Sequence, residues 1–366
     1  MDNKNHELYK YVEDPKQADG IAWTFLDKNQ TPSIFPFKFP PLPDDEVRFK
    51  VTYTGLCFSD VHWCRGHWGD QMYPIAPGHE IMGLVTEIGK SVKKFKIGDK
   101  VCVGAQRNCC GTCKQCLSGE VSYCPVLHRY EKWTYGRYWG GYSTHAQQPE
   151  LFTFNVPDGL PENLCAPLLC AGITVWAPIV RFGKPGMRTA VSGIGGLGHL
   201  AVQYLAKLGY EVTAITTSME KKDYIMSLGA TNVLNINDEK DLKTFDSAFD
   251  LIISTASNSP DFTKLLGLCS QFCTIAQCGL PNAEDKFILA NMSVFKGVTL
   301  VGSALGTLKE TEEMLEFSAK HKIFPKCEEF DFMDLPKAFN HLEHGKPNFR
   351  CILNVKDYSE KNGYFK

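Results

Sequence analysis

Apolar and polar residues alternate strictly through Val47-Arg48-Phe49-Lys50-Val51-Thr52-Tyr53, which predicts a half-buried strand. Pro40, Pro41 and Pro43 mark a turn just before it. Short apolar runs at Ile81–Ile88 and Lys100–Val103 predict further strands, separated by Gly and Pro. This part of the chain reads as an antiparallel β domain with long loops. Near residue 185 the pattern changes. Arg188–Ser192 and Tyr210–Thr216 predict strands, each followed by a helical pattern, His199–Leu208 and Lys221–Leu228. Asp250–Ser254, Phe272–Ala276 and Val298–Gly302 continue the strand series. Alternating strands and helices predict an α/β architecture with a parallel, doubly wound sheet. Lys309–His321 predicts a charged amphipathic helix, and Cys351–Val355 a last short strand that returns to the first domain. The expected division is residues 1–170 with 309–366 in one domain, and 171–308 in the other.

Composition narrows the function. The chain has 366 residues, 43% hydrophobic and 22% charged, as expected for a two-domain globular protein. A formal net charge of -2 gives no basis for nucleic acid or an anionic membrane as a partner. The longest apolar stretch, Leu164–Val180, contains Pro167, Gly172 and Pro178 and falls short of the roughly 20 residues of a spanning helix. The polar start carries no apolar core of a secretory signal. Fifteen cysteines then fit metal-bound thiolates in a reducing, cytoplasmic setting better than a disulfide framework.

Four of them, Cys110, Cys113, Cys116 and Cys124, follow one another at intervals of three, three and eight. The loop between them is rich in small polar residues and supplies no apolar core. Four thiolates on such a loop suit tetrahedral Zn²⁺, and a closed Cys₄ site stabilises a fold without an open position for chemistry. A nucleic-acid-binding zinc ribbon uses the same cysteines, but here only Arg107 and Lys114 lie beside them, too few for a basic stripe.

Gly193-Ile194-Gly195-Gly196-Leu197-Gly198 is a G-x-G-x-x-G run placed between a predicted strand and a predicted helix. Its first glycine makes the tight turn and its second admits a pyrophosphate. The third packs helix against strand, and the helix N-terminus favours the anion. NAD sites place Asp or Glu at the end of the next strand. This chain has Thr216-Thr217-Ser218 there, followed by Lys221 and Lys222. Hydroxyls and an ammonium in place of the acid predict NADP(H).

Cys57, His79 and Cys170 are candidate ligands of a second, catalytic metal, since three protein ligands leave one position open. Their spacing alone does not join them, and an isolated Cys or His is commonly a core residue. The chain resembles the zinc-dependent medium-chain dehydrogenases, within them the cinnamyl alcohol dehydrogenase branch. The resemblance runs from about Gly20 to Val355 and rests on motifs in family order. These are Gly55-Leu56-Cys57-Phe58-Ser59-Asp60-Val61-His62, Pro77-Gly78-His79-Glu80, the four-cysteine loop, Pro167–Thr174 and the glycine run. Gly302-Ser303 with Lys309-Glu310-Thr311 adds to it.

The resemblance implies a GroES-like antiparallel β catalytic domain and a Rossmann cofactor domain. It implies a catalytic zinc on Cys57, His79 and Cys170, with Glu80, water or substrate in fourth place. Asp60 would orient His79, and Ser59 and His62 would carry the proton to solvent. Thr174 and Ser303 would meet the cofactor, and Arg350 its phosphates. A homodimer is also implied. Phe58 departs from the branch, which commonly has His there, and Cys109 adjoins the structural set. Trp63, Trp68, Trp139 and Tyr142 are candidates for an aromatic substrate pocket.

The activity implied is interconversion of a primary, aromatic or allylic alcohol and its aldehyde with NADP(H). Polyol or sugar dehydrogenases of the same superfamily usually favour NAD, against the Thr217-Ser218 strand end. Reductases of C=N or C=C bonds share the scaffold, and the Ser59–His62 pair argues against them. A non-catalytic dinucleotide-binding protein has no use for the ligand set.

Overall fold

The computed structural model describes residues 8–134, 136–256, 262–279, 291–345 and 347–363. The chain packs as two units, Met1–Cys170 with Thr307–Lys366, and Ala171–Gly306.

In the first unit the alternating segment predicted at Val47–Tyr53 is the middle of a longer strand, Glu46–Leu56. It is buried nearly throughout because neighbours cover it on every side. Ile81–Ile88 and Arg350–Asn354 flank it antiparallel, and His145–Pro149 pairs with its first half. Register breaks between Arg48 and Phe49 and between Val51 and Tyr53 let it serve these partners in turn. Among the described residues the sheet runs Cys327–Asp331, Arg350–Asn354, Glu46–Leu56, Ile81–Ile88, Lys100–Val103, Thr153–Asn155. It is antiparallel except for its edge pair, Cys327–Asp331 with Arg350–Asn354, which is parallel. A smaller antiparallel sheet, Lys10–Tyr11, Ser33–Lys38 and Gly20–Thr24, lies outside what the pattern predicts. Arg107 is buried, its guanidinium bonded to both Glu46 oxygens at 2.7 and 2.9 Å and to Gln148 Oε1 at 2.8 Å. It is therefore a core cation and no part of a nucleic-acid surface.

The second unit is a parallel sheet in the order Asn232–Asn235, Glu211–Thr216, Arg188–Ser192, Phe249–Ser254, Cys269–Gln277, Thr299–Gly302. The order reverses direction at Arg188–Ser192, as a doubly wound sheet requires. Ala190, Ile215, Leu234, Ile252 and Ile275 are buried beneath the helices, which is why its strands read as continuous apolar runs. Back in the first unit, the predicted helix at Lys309–His321 is Leu308–His321, started by a capping box. Thr307 Oγ1 accepts from Glu310 N at 3.1 Å, and Glu310 Oε2 accepts from Thr307 N at 2.7 Å. Among the described residues no single helix is long and apolar enough to cross a membrane.

Candidate active site

Strand Glu46–Leu56 ends by delivering Cys57, and His79 and Glu80 stand just before strand Ile81–Ile88. A 3₁₀ turn, Ala166–Leu169, delivers Cys170. One donor atom from each of these four buried residues lies within 4.8 Å of the others. Cys57 Sγ and Cys170 Sγ are 3.9 Å apart. Two sulfurs about 2.3 Å from a common tetrahedral centre stand about 3.8 Å apart, so the pair fits Zn²⁺. A hydrogen bond from Cys170 holds the Cys57 thiol well below its usual range, with Arg350 and His79 adding to the effect against burial.

Asp60, in helix Phe58–Cys64, organises this cluster. Its carboxylate is fully buried and accepts four hydrogen bonds. Oδ1 meets His79 Nδ1 at 2.9 Å and accepts from Gly78 N at 3.1 Å. Oδ2 accepts from Cys57 N and from the Tyr142 hydroxyl, both at 3.0 Å. A proton held on His79 Nδ1 leaves Nε2 with the lone pair that a metal needs. Tyr142, one of the candidate aromatic residues, is fully buried and donates to Asp60. Trp139 is likewise a core residue, stacked on Tyr9 with ring centres 4.3 Å apart. Trp63 is buried edge-on to Tyr130, whereas Trp68 lies over the His62 ring at 5.0 Å.

Arg350 has a partner that the sequence does not announce. It opens strand Arg350–Asn354, is buried, and pairs through Nη2 with Glu80 Oε1. The reason is electrostatic: a buried carboxylate beside two thiols requires a cation. Burial still pushes Glu80 up to about 7, against the pull of Arg350. Among the described residues Glu80 Oε2 accepts no hydrogen bond, and it is the oxygen nearest Gly55. A Cβ on Gly55 would stand 1.9 Å from it, so this glycine makes room for the carboxylate. Gly55→Ala should therefore displace Glu80 and lower bound zinc and thermal stability together, read by metal analysis and calorimetry. An unchanged melting curve with full zinc would refute this.

Ser59 and His62 stand one turn apart on the same helix, and no hydrogen bond joins them among the described residues. His62 bonds instead to His67, Nδ1 to Nδ1, at 3.0 Å.

The four loop cysteines converge as a second quartet, without Cys109. Sulfur separations are 3.8 Å for Cys110–Cys116, 3.4 Å for Cys113–Cys116 and 4.0 Å for Cys113–Cys124. These bracket the tetrahedral edge of about 3.8 Å. Backbone N–H groups of Thr112 and Cys113 lower the Cys110 thiol to about 6. A third grouping, Glu328, His341 and Cys351, is a brace. One Glu328 oxygen meets His341 Nε2 at 3.0 Å and the other accepts from the Asn348 N–H.

In the second unit Gly193 follows strand Arg188–Ser192 with φ of +88°. A Cβ on Gly198 would lie 2.0 Å from the Gly193 carbonyl oxygen, so helix Gly198–Lys207 packs on the turn only with glycine there. Gly195 faces open space, as a pyrophosphate position requires, with Gly196 and Leu197 completing the turn. Thr217, Ser218 and Lys222 are exposed beyond strand Glu211–Thr216, while Thr174 and Ser303 are nearly buried. Ser303 Oγ has no hydrogen-bond partner among the described residues.

Two family models match the chain, "Alcohol dehydrogenase GroES-like domain" over residues 43–158 and "Zinc-binding dehydrogenase" over 196–320. The class so defined is that of the zinc-binding dehydrogenases. Cinnamyl alcohol dehydrogenase 8 of Arabidopsis thaliana is 37% identical, over 95% of this chain and 98% of that protein. The 8-hydroxygeraniol dehydrogenase of Catharanthus roseus is 38% identical, over 94% of this chain and 96% of that protein. The crystal structure of the Helicobacter pylori cinnamyl alcohol dehydrogenase complexed with NADP(H) superposes with a TM-score of 0.82 at 32% identity, covering 92% and 98% of the two chains. This chain belongs to the zinc-dependent medium-chain alcohol dehydrogenases, in the branch of the cinnamyl alcohol dehydrogenases.

Proposed function

We propose that this protein interconverts a primary aromatic or allylic alcohol and its aldehyde, with NADP(H) as hydride carrier. The observation that carries the reading is the buried Cys57–His79–Cys170 donor set, held by Asp60. The names of the relatives support the substrate class. NADP(H) rests on the exposed hydroxyls and lysine at Thr217, Ser218 and Lys222, and on the H. pylori relative's ligand. Zinc would be held by Cys57, His79 and Cys170, with Glu80 Oε2 in reach of the fourth position, and a second zinc by Cys110, Cys113, Cys116 and Cys124. When bound, the first zinc supplies a Lewis acid for the substrate oxygen, and nicotinamide carries the hydride.

The chain's own part is to position and neutralise. Asp60 fixes the tautomer of His79, and the hydrogen bond from Cys170, with Arg350 and His79, holds the Cys57 thiol well below its usual range. Arg350 balances Glu80, and Ser59 and His62 form the path that takes the proton released by the alcohol. The glycine turn, with Thr174 and Ser303, holds the dinucleotide. Arg350, the partner of Glu80, also belongs to this set as a ligand of the cofactor's phosphates. The reading extends to a cytoplasmic homodimer, supported by the family resemblance and by the reducing conditions that free thiolates require.

A panel of cinnamaldehyde, benzaldehyde and short aliphatic aldehydes, followed by NADPH and NADH oxidation, tests the reading. Faster turnover of the aromatic and allylic aldehydes with NADPH is expected, with two zinc ions per chain. A preference for NADH with polyols would overturn it.

A further inference from the structure

We propose that His67 is the solvent end of a two-histidine proton wire, receiving through His62 the proton that alcohol oxidation releases. The inference rests on the alcohol dehydrogenase reading above and adds a residue to it. His62 lies on the helix that starts beside Cys57, and is half-buried. His67 follows that helix and is exposed. Their Nδ1 atoms are 3.0 Å apart, a hydrogen bond in which one ring must donate and the other accept. Trp68 lies over His62 and Phe58 meets its edge at 5.0 Å, fixing the ring between them. The bond to His67 turns His62 Nε2 away from His67.

This geometry carries a proton in one direction at a time. In alcohol oxidation the hydroxyl proton reaches His62 Nε2 by way of Ser59 while the Nδ1–H of His62 passes to His67 Nδ1. His67 then releases Nε2–H to water. The alcohol loses this proton and a hydride, the hydride going to the oxidised nicotinamide, so charge and electrons balance. Aldehyde reduction runs the wire backwards and so restores the starting tautomers; in repeated oxidation the half-buried His62 gives its Nε2–H to water while water returns a proton through His67.

Two charged groups from packed elements act on the pair among the described residues. Cys57 acts on His62 from the strand end, and Glu343 of helix Leu335–His344 senses His67. Glu343 is itself held by Arg65 at 2.8 Å, with His344 Nδ1 at 3.9 Å from its carboxylate. Burial lowers the His62 pKa, the neighbouring His67 lowers it further, and Cys57 raises it. Removing His67 therefore removes a like-charge neighbour, and the His62 pKa rises.

The test is His67→Gln in the full-length zinc enzyme, beside the wild type. With ¹³C-labelled histidine, NMR titration without cofactor should show the His62 signal titrating at higher pH in the variant. Alcohol oxidation should fall about 10-fold in weak buffer, a part of what general acid–base groups contribute. Its acid limb should move to higher pH, and imidazole should restore the rate. Aldehyde and cofactor KM should stay within about 2-fold, since His67 touches neither. An unmoved His62 titration with an unchanged, imidazole-insensitive rate would overturn the wire. A wild type inactive on every alcohol would instead overturn the functional reading, while the NMR shift would still report the coupling.

Discussion

Asp60→Asn should abolish most activity while keeping the side chain's shape. Oδ1 of the asparagine still accepts from Gly78 N and His79. An NH₂ group then replaces Oδ2, which accepts from Cys57 N and the Tyr142 hydroxyl at 3.0 Å each. The tyrosine hydroxyl can turn and accept; the Cys57 N–H cannot. A buried N–H left facing another donor costs about 1–3 kcal/mol. Flipping the amide moves the conflict to Gly78 N and His79 Nδ1, and in that pose His79 favours the wrong tautomer. Substitutions of this kind of partner typically lower metal affinity or activity by about 10–100-fold. We therefore expect kcat/KM to fall by about 100-fold, with a lower Tm and a lower zinc content after dialysis. Tyr142→Phe should cost less, because it removes one donor and leaves the other three. Wild-type zinc content and rate in Asp60→Asn would show that Asp60 does not orient His79.

The elements that could be read from the chain are those fixed by local pattern. Ile81–Ile88, Lys100–Val103 and Arg188–Ser192 form with the expected bounds, since alternation or a short apolar run between breakers specifies a strand by itself. Cys327–Asp331 could not be read this way. Its sequence carries two glutamates and an aspartate, and it is a strand because it pairs in parallel with Arg350–Asn354. The site divides similarly. The cysteine loop and the glycine turn announce themselves because their ligand spacing is local. Cys57 and Cys170 are 113 positions apart, and only the fold, or a family resemblance, joins them. The supporting contacts are the least legible. Tyr142 to Asp60 spans 82 positions and Arg350 to Glu80 spans 270, so neither contact is visible until the packing is known. Two glycines carried the missed signal. Gly55 and Gly78 stand just before Cys57 and His79, and the Glu80 side chain at the first and Tyr142 with the Gly141 backbone at the second occupy the place of a Cβ.

Cys113→Ser should separate the two metals. Cys113 touches most of the quartet, with Sγ 3.4 Å from Cys116 and 4.0 Å from Cys124, and its N–H donates to Cys110 Sγ at 3.3 Å. The loop has little else to hold it: helix Lys114–Leu117 is four residues with none buried, and Leu117 is exposed. A serine hydroxyl is a poor replacement for a thiolate on Zn²⁺, and the remaining sulfurs would form an incomplete shell. The variant should bind one zinc per chain where the wild type binds two. Loss of a structural metal belongs to the few changes that exceed about 4 kcal/mol, so a large drop in Tm and early proteolysis near Cys110–Cys124 are expected. The catalytic donors sit on other segments of the chain, so kcat measured at low temperature should hold within about 3-fold. Cys109→Ser is the matched control, because Cys109 lies outside the quartet and should leave zinc and Tm unchanged. Two zinc ions retained in Cys113→Ser would show that the loop does not bind metal. Loss of kcat in step with the zinc would instead show that the loop shapes the reacting centre.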